Sequence, residues 1–162
     1  GGGVRYSGAS QALADFADWH PTITRLLGEA DTLYRWALFD RAPLRRWVDG
    51  RVALLGDAAH PMVPFMAQGA AMAVEDAWVV AREMTQKTSP ARGLEAYQHL
   101  RQTRANRVQA GSRANAKNFH KRTRLGQLVT YGPMWLAGKF APVAVHNLQD
   151  PIYGHDVTRL DK

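Results

Sequence analysis

The chain has 162 residues, 46% hydrophobic and 22% charged, with five Trp and no Cys. That length and composition suit one folded domain of ordinary size. They exclude a disordered chain, a disulfide framework and thiolate chemistry. The net charge of +7 fits either a solvated basic surface or an anionic partner such as a phosphate-bearing cofactor, an aromatic carboxylate or nucleic acid, and charge alone does not choose.

The start, GGGVRYSGAS, has no apolar h-region, and the longest mostly apolar run, Pro61 to Val74, is interrupted by Gln68 and too short for a bilayer. The expectation is a cytoplasmic chain with no membrane partner. Val4 to Gly8 reads as the end of a strand or loop. Ser10 is placed to cap a short helix bearing Leu13, Phe16 and Ala17 at helical spacing. Pro21 suits the first turn of a second helix, with Ile23, Leu26 and Leu27 on one side and Gly28 as its stop. Thr32 to Asp40 is aromatic and apolar, as strands are, with Tyr34, Trp36 and Leu38 sharing one face. Arg35 and Arg41 are placed either to attract an anionic substrate or to pair on the surface.

Asp49-Gly50 is a turn signal, and Arg51 to Leu55 is a continuous apolar run of the kind found in a strand of a parallel sheet buried on both faces. Ala67 to Gln86 is helical by length and pattern. At 100° per residue, Gln68, Glu75, Asp76, Arg82 and Glu83 form a narrow polar stripe on an otherwise apolar helix, which predicts burial of the apolar circumference. Ser89-Pro90 starts a long helix to about Asn118, with Leu94, Tyr97, Ala105 and Val108 on one face. Its basic residues, Arg101, Arg104, Arg107, Arg113 and Lys117, spread over roughly 240°, which argues against a nucleic-acid stripe. Arg101 points along the apolar face and reads as a half-buried arginine held by a partner. Arg124 to Thr130 continues as helix, Gly132-Pro133 breaks it, Met134 to Phe140 is a short amphipathic piece, and an irregular tail from Ala141 wraps the surface.

No pair of the six His has metal-ligand spacing, so no metal site is expected. There is no GxSxG, Walker loop or GxGxxG. Glu75 and Asp76, adjacent on a helix, point about 100° apart and make a poor acid–base dyad. What remains is Leu54 to Ala77. Gly56 ends the apolar run and Asp57 can accept hydrogen bonds from ligand hydroxyls. Ala58 and Ala59 admit a bulky ligand near the backbone, and Ala67, Gly69, Ala70 and Ala71 open a helix whose unsatisfied N–H groups favour an anion. The same residues equally suit a structural strand-loop-helix.

GDAAHPMVPFMAQGAAMAVEDA resembles the second flavin-binding motif of single-component FAD-dependent aromatic hydroxylases (group A flavoprotein monooxygenases). LYRWALFDRAPLRRWVDGRVALL and YQHLRQTRANRVQAGSR resemble the salicylate and hydroxybenzoate hydroxylase branch. The resemblance implies a helix-rich α/β fragment. Residues 1–50 would end a substrate-domain sheet, residues 51–86 would be the closing strand-loop-helix of a Rossmann-like FAD domain, and residues 87–162 the C-terminal helices and tail. The family's GxGxxG and middle DG motifs are not in this stretch, so it resembles the C-terminal part of such an enzyme.

Carried over by position, the resemblance gives Gly56, Asp57 and Ala58 to the ribityl–pyrophosphate region of FAD. Gly69 and Ala70 would supply N–H groups to the flavin N1–C2=O edge, and the helix start would stabilise the anionic reduced flavin. Pro64 would offer its carbonyl near flavin and substrate, and Gln68 would face the active site. The implied reaction uses NADH or NADPH and O2 to hydroxylate a small aromatic ring, phenolic or carboxylated. A catalytically dead remnant that binds a partner chain, a second copy or the N-terminal part of such an enzyme, is the alternative. A basic nucleic-acid-binding module is the third reading.

Overall fold

The computed structural model describes residues 4–5, 9–121 and 123–159. The chain divides after Leu38 into two compact units. In the first, β1 (Val4–Arg5) pairs antiparallel with β2 (Tyr34–Arg35), and two short helices, α1 (Ala9–Asp15) and α2 (Pro21–Gly28), lie between them in sequence. The helix begins at Ala9, so Ser10 is inside it and does not cap it. Pro21 does open α2, where His20 accepts from the Thr22 N–H. Only Tyr34–Arg35 of the expected strand Thr32 to Asp40 is paired, and residues 6–8 of the expected Val4 to Gly8 element lie outside the described residues.

The second unit begins with a hairpin, β3 (Val48–Asp49) antiparallel to β4 (Val52–Ala53). Its two-residue loop is Gly50-Arg51, and Gly50 has the positive φ of 58° that such tight turns require. The expected buried strand of a parallel sheet is therefore not formed here. Arg51 to Leu55 contributes two paired residues, and Val52 is 67% exposed. Its only strand neighbour is the hairpin partner, so both flanks of a parallel sheet are missing from the described residues.

Two 3-10 turns follow, Gly56–Ala58 and Pro64–Met66, and then α3 (Gly69–Gln86) and α4 (Pro90–Phe119). Ser89 caps α4 by accepting from the Arg92 N–H, and Gly93 sits against the last turn of α3. A Cβ on Gly93 would lie 3.0 Å from the Glu83 carbonyl oxygen, so glycine sets how closely the two helices meet. Trp47, Val48, Ala59, Val79, Leu94, Tyr97 and Ala105 form the core around this pair. The Trp47 ring lies 5.9 Å from Tyr97 and 5.3 Å from His60.

The amphipathic reading of α3 holds in part: apolar Met72 and Val79 are buried, but so are Asp76 and Glu83 of the polar stripe. Its buried residues are Met72, Asp76, Val79 and Glu83, one face at i, i+4, i+7, i+11 turned toward α4. The acidic stripe is thus the packed side, whereas Val74 and Trp78 on the far side are exposed. At Asp76 the cause lies in α4, whose Arg101 partners the buried carboxylate, whereas Glu83 is held by Arg82 and Lys87.

Beyond α4, α5 (Arg124–Phe140) runs through Pro133 without breaking, and α6 (Pro142–Tyr153) replaces the expected irregular tail. Neither helix has a buried residue. The end of α6 does wrap the surface: Arg104 donates to the carbonyls of Pro151 and Ile152, and Tyr153 Oη donates to the Met66 carbonyl at 3.2 Å. Among the described residues no helix is long and apolar enough to cross a membrane.

Candidate functional site

A cleft of about 670 Å³, a size typical of small-ligand sites, is lined by residues from Leu55 to Ala73. Of the residues expected to bind a cofactor, it brings together Gly56, Asp57, Pro64, Gly69 and Ala70. Ala58 and Gln68 stand beside it and do not line it. Ala58 turns its carbonyl to the Arg41 guanidinium, which also donates to the Ala59 carbonyl at 3.2 Å. Arg41 thus serves as a clamp on this loop. Gln68 is the half-buried N-cap of α3, and its side chain makes no capping hydrogen bond.

Each wall follows from local chemistry. Gly56 has φ 53°, and even without a side chain its backbone lies close to α3, because an added Cβ would be 3.1 Å from Ala73 Cβ. Asp57 is exposed at the cleft, and among the described residues its carboxylate has no hydrogen-bond partner. Along the helix start, the first backbone bond returns from the Met72 N–H to the Gln68 carbonyl at 2.9 Å. The N–H groups of Gly69, Ala70 and Ala71 precede that bond and are the donors a helix leaves unsatisfied. The Pro64 carbonyl accepts from the Ala67 N–H at 3.1 Å and keeps a second lone pair.

Ala67 itself has φ 52°, a left-handed conformation that costs a residue with a Cβ about 1–2 kcal/mol. Ala67→Gly is therefore expected to stabilise the chain by about 1 kcal/mol, net of glycine's greater unfolded-state freedom. Thermal unfolding checks this, and an unchanged or lower melting temperature would refute it.

The loop from Pro61 to Phe65 is held from below by α4. Gln109 Nε2 donates to the Pro61 carbonyl at 2.7 Å, Ser112 Oγ to the Val63 carbonyl and Asn115 Nδ2 to the Phe65 carbonyl at 3.3 Å. These three side chains, spaced by three residues, meet alternate carbonyls of the loop, the last of them inside the Pro64–Met66 turn. Farther along, Gln98 Oε1 accepts from the Trp47 and Val48 N–H groups, and Tyr97 Oη donates to the Leu54 carbonyl. Burial and the neighbouring Asp76 charge push the Tyr97 phenol far above its usual range, so it stays a donor. Sequence reasoning found none of these contacts. The only available hint was the run of amide and hydroxyl side chains on the face of α4 that also carries its apolar residues.

Behind the cleft lies a buried charge cluster. Arg101, fully buried, donates from Nε to Asp76 Oδ1 at 2.9 Å and from Nη1 to Glu75 Oε2 at 2.5 Å. The expected partner-held arginine is thus present, with Glu75 and Asp76 as its partners. Arg104 grips Glu75 through Nε and Nη2, each at 2.8 Å. Burial pushes the carboxyls of both Glu75 and Asp76 up. The arginines at Glu75, and His60 with Arg101 at Asp76, outweigh that and leave both below the usual carboxylate range.

A folded pKa below the unfolded one stabilises the fold above the unfolded value, and that stability is lost as pH falls through the folded value. Acid unfolding should therefore set in below about pH 4. Glu75→Gln should flatten the dependence of stability on pH in that window, which urea unfolding at a series of pH values reads directly. An unaltered slope would show that Glu75 contributes nothing to it.

The FAD binding domain family matches residues 19–112, more than half of the chain. The chain belongs to the FAD-binding-domain family. Among curated relatives of this FAD-binding-domain chain, 3-amino-4-hydroxybenzoate 2-monooxygenase of Streptomyces platensis is 43% identical over 111 residues, 68% of this chain and 28% of that protein. 3-hydroxybenzoate 6-hydroxylase 1 of Aquipseudomonas alcaligenes is 51% identical over 90 residues, 56% of this chain and 23% of that protein. Among solved structures, salicylate hydroxylase in a substrate complex matches with a TM-score of 0.68 and 29% identity over 95% of this chain and 36% of that one. HpxO of Klebsiella pneumoniae, complexed with FAD and uric acid, matches with a TM-score of 0.68 and 30% identity over 77% of this chain and 33% of that one. The chain spans about a quarter of the length of these curated relatives.

The cleft fits part of a flavin cofactor. It offers an uncommitted carboxylate, a close-lying glycine backbone and free helix N–H groups, on walls that are otherwise apolar. Such a set recognises hydroxyls at one end and a polar, electron-rich ring edge at the other.

Proposed function

We propose that this chain is the FAD-site portion of a monooxygenase that uses NADH or NADPH and O2 to hydroxylate a small aromatic ring, phenolic or carboxylated. The observation that carries the reading is the cleft itself, which gathers Asp57, Pro64, Gly69 and Ala70 from two turns and a helix start. FAD when bound supplies the redox and oxygen-activating chemistry, and the protein supplies binding, orientation and exclusion of water. Asp57, on the Gly56–Ala58 turn, accepts from ribityl hydroxyls. The N–H groups of Gly69 and Ala70 face the flavin N1–C2=O edge and favour negative charge there. The Pro64 carbonyl, fixed by Ser112 and Asn115 on either side, orients a substrate hydroxyl, and Gln68 lends a polar side chain beside it. In this reading residues 1–50 close the substrate domain, residues 51–86 close the FAD domain, and residues 87–162 form the C-terminal helices.

The same cleft supports a second reading, favoured by the exposed apolar sides of α3 and α5, where Val74 and Leu125 are each more than 70% exposed. In it the chain is a catalytically dead remnant that docks a partner chain. Titrating the purified chain with FAD and following flavin fluorescence separates the two. Saturable quenching supports the flavin site. A folded chain that never quenches FAD leaves the docking reading.

A further inference from the structure

The buried cluster behind the cleft reaches the segment from Gly56 to His60 through two hydrogen bonds at one carboxylate oxygen. Asp76 Oδ2 accepts from the Gly56 N–H at 3.0 Å and from His60 Nε2 at 2.7 Å. Asp76 and His60 are both buried. An ionised carboxylate has only lone pairs to offer, so His60 Nε2 carries the proton of that bond. The ring of contacts then closes on itself. The Gly56 carbonyl accepts from the N–H groups of Ala59 and His60, each at 2.9 Å. Both peptide groups of Gly56 are therefore held, one by its own turn and one by α3. Ala73, one helical turn before Asp76, packs on the same glycine.

We infer that Asp76 is the positioning residue of the Gly56–Ala58 turn: by holding the Gly56 N–H it aims the Asp57 carboxylate into the cleft, and Arg101 and His60 keep Asp76 in place. The inference rests on the flavin reading only for what Asp57 binds. It follows from three facts. Glycine takes positive and negative φ about equally, so the φ of 53° at Gly56 is selected by a contact from outside the residue, and Asp57 is the next residue. Among the described residues the Asp57 carboxylate has no hydrogen-bond partner to orient it. Asp76 is the acceptor of the Gly56 N–H, and its remaining oxygen is bound to Arg101. Asp76 touches no ligand in this arrangement and works through Gly56.

A purely structural Asp76, bracing α3 on α4 through Arg101, makes a different prediction, and amide hydrogen exchange followed residue by residue tells them apart. In the unaltered chain the Gly56 amide should be protected. Asp76→Ala should speed its exchange about 10- to 100-fold, the loss expected of a hydrogen bond to a charged group. The Met72 amide, within α3, should change by less than about threefold. FAD affinity of Asp76→Ala should fall about 10-fold or more with Asp57 intact.

Uniform loss of protection along α3 and α4, or a Gly56 amide that does not respond, would overturn the inference. So would unchanged FAD affinity in a folded Asp76→Ala chain. Should Asp76→Ala not fold, the unaltered chain still decides, because a Gly56 amide exchanging as freely as a solvent-exposed one refutes the assignment. If the unaltered chain binds no FAD, the flavin reading fails, and the exchange data still judge Asp76 independently.

Discussion

Arg101→Met is expected to cost about 3–5 kcal/mol of folding free energy, the usual range for breaking a buried ion pair from one side. Methionine roughly fills the volume, so the loss is electrical. It leaves Asp76 with His60 and the Gly56 N–H but no guanidinium, and Glu75 with Arg104 and, at 3.9 Å, the His155 ring. The Arg101 Nη2 contacts to the Met72 carbonyl and sulfur, at 3.5 and 3.6 Å, disappear as well. Arg104→Met is the contrast: it loses a bidentate bond to Glu75 and the bonds to the Pro151 and Ile152 carbonyls, but Arg101 still holds Glu75, and about 2 kcal/mol is expected. Urea unfolding at neutral pH measures both. Lowering the pH should narrow the gap between Arg101→Met and the parent, because an unpaired buried carboxylate takes up a proton readily. Replacing Asp76 by leucine in the Arg101→Met background should recover part of the loss, since removing both partners costs less than removing one. A penalty below about 1 kcal/mol would mean that water already reaches the cluster.

The helical half of the fold was legible because helices announce themselves locally. Ser89-Pro90 supplied a cap and a first-turn proline, Asp49-Gly50 supplied the hairpin turn, and the small residues at 67–71 supplied the start of α3, two residues later than expected. Arg101 was legible as a buried arginine because a charge on an apolar face needs a partner. Two of the failures share one cause: the deciding partner is not in the local sequence. The polar stripe of α3 gave no sign that Glu75 and Asp76 are met by Arg101 of α4. Arg51 to Leu55 had the composition of a central strand, but the described residues give it one hairpin neighbour, so it stays two paired residues long. Pro133 looked like a break, yet α5 continues through it, as a helix does when only one backbone bond is forfeited. Gly56, Asp57, Pro64, Gly69 and Ala70, singled out from a motif of backbone groups and one carboxylate, line a single cleft. The supports contributed by Gln109, Ser112 and Asn115 did not show, because side-chain bonds to loop carbonyls leave no periodicity to read.

Asp57→Ala is expected to lower FAD affinity about 10- to 100-fold, the worth of charge-assisted hydrogen bonds to a ligand. The folded chain should hardly notice, with stability within about 0.5 kcal/mol of the parent, because the substitution removes an exposed carboxylate with no protein partner. That pairing of a large ligand effect with a null fold effect distinguishes a binding residue from a structural one. Gly69→Ala tests the other wall in the same way. A Cβ there would meet Asp57 Oδ1 and Met62 Cγ at 3.9 Å, ordinary contact distances, so the unliganded chain accommodates it and the helix gains a better former. Any loss of FAD binding then comes from a methyl group standing where the ligand approaches the helix N–H groups. Flavin fluorescence titration and thermal unfolding, run on both variants, give the two numbers needed for each. Equal losses of stability and affinity in Asp57→Ala would return Asp57 to the scaffold. Undiminished affinity in both variants would move the flavin off this cleft altogether, because Asp57 and the start of α3 are its two polar walls.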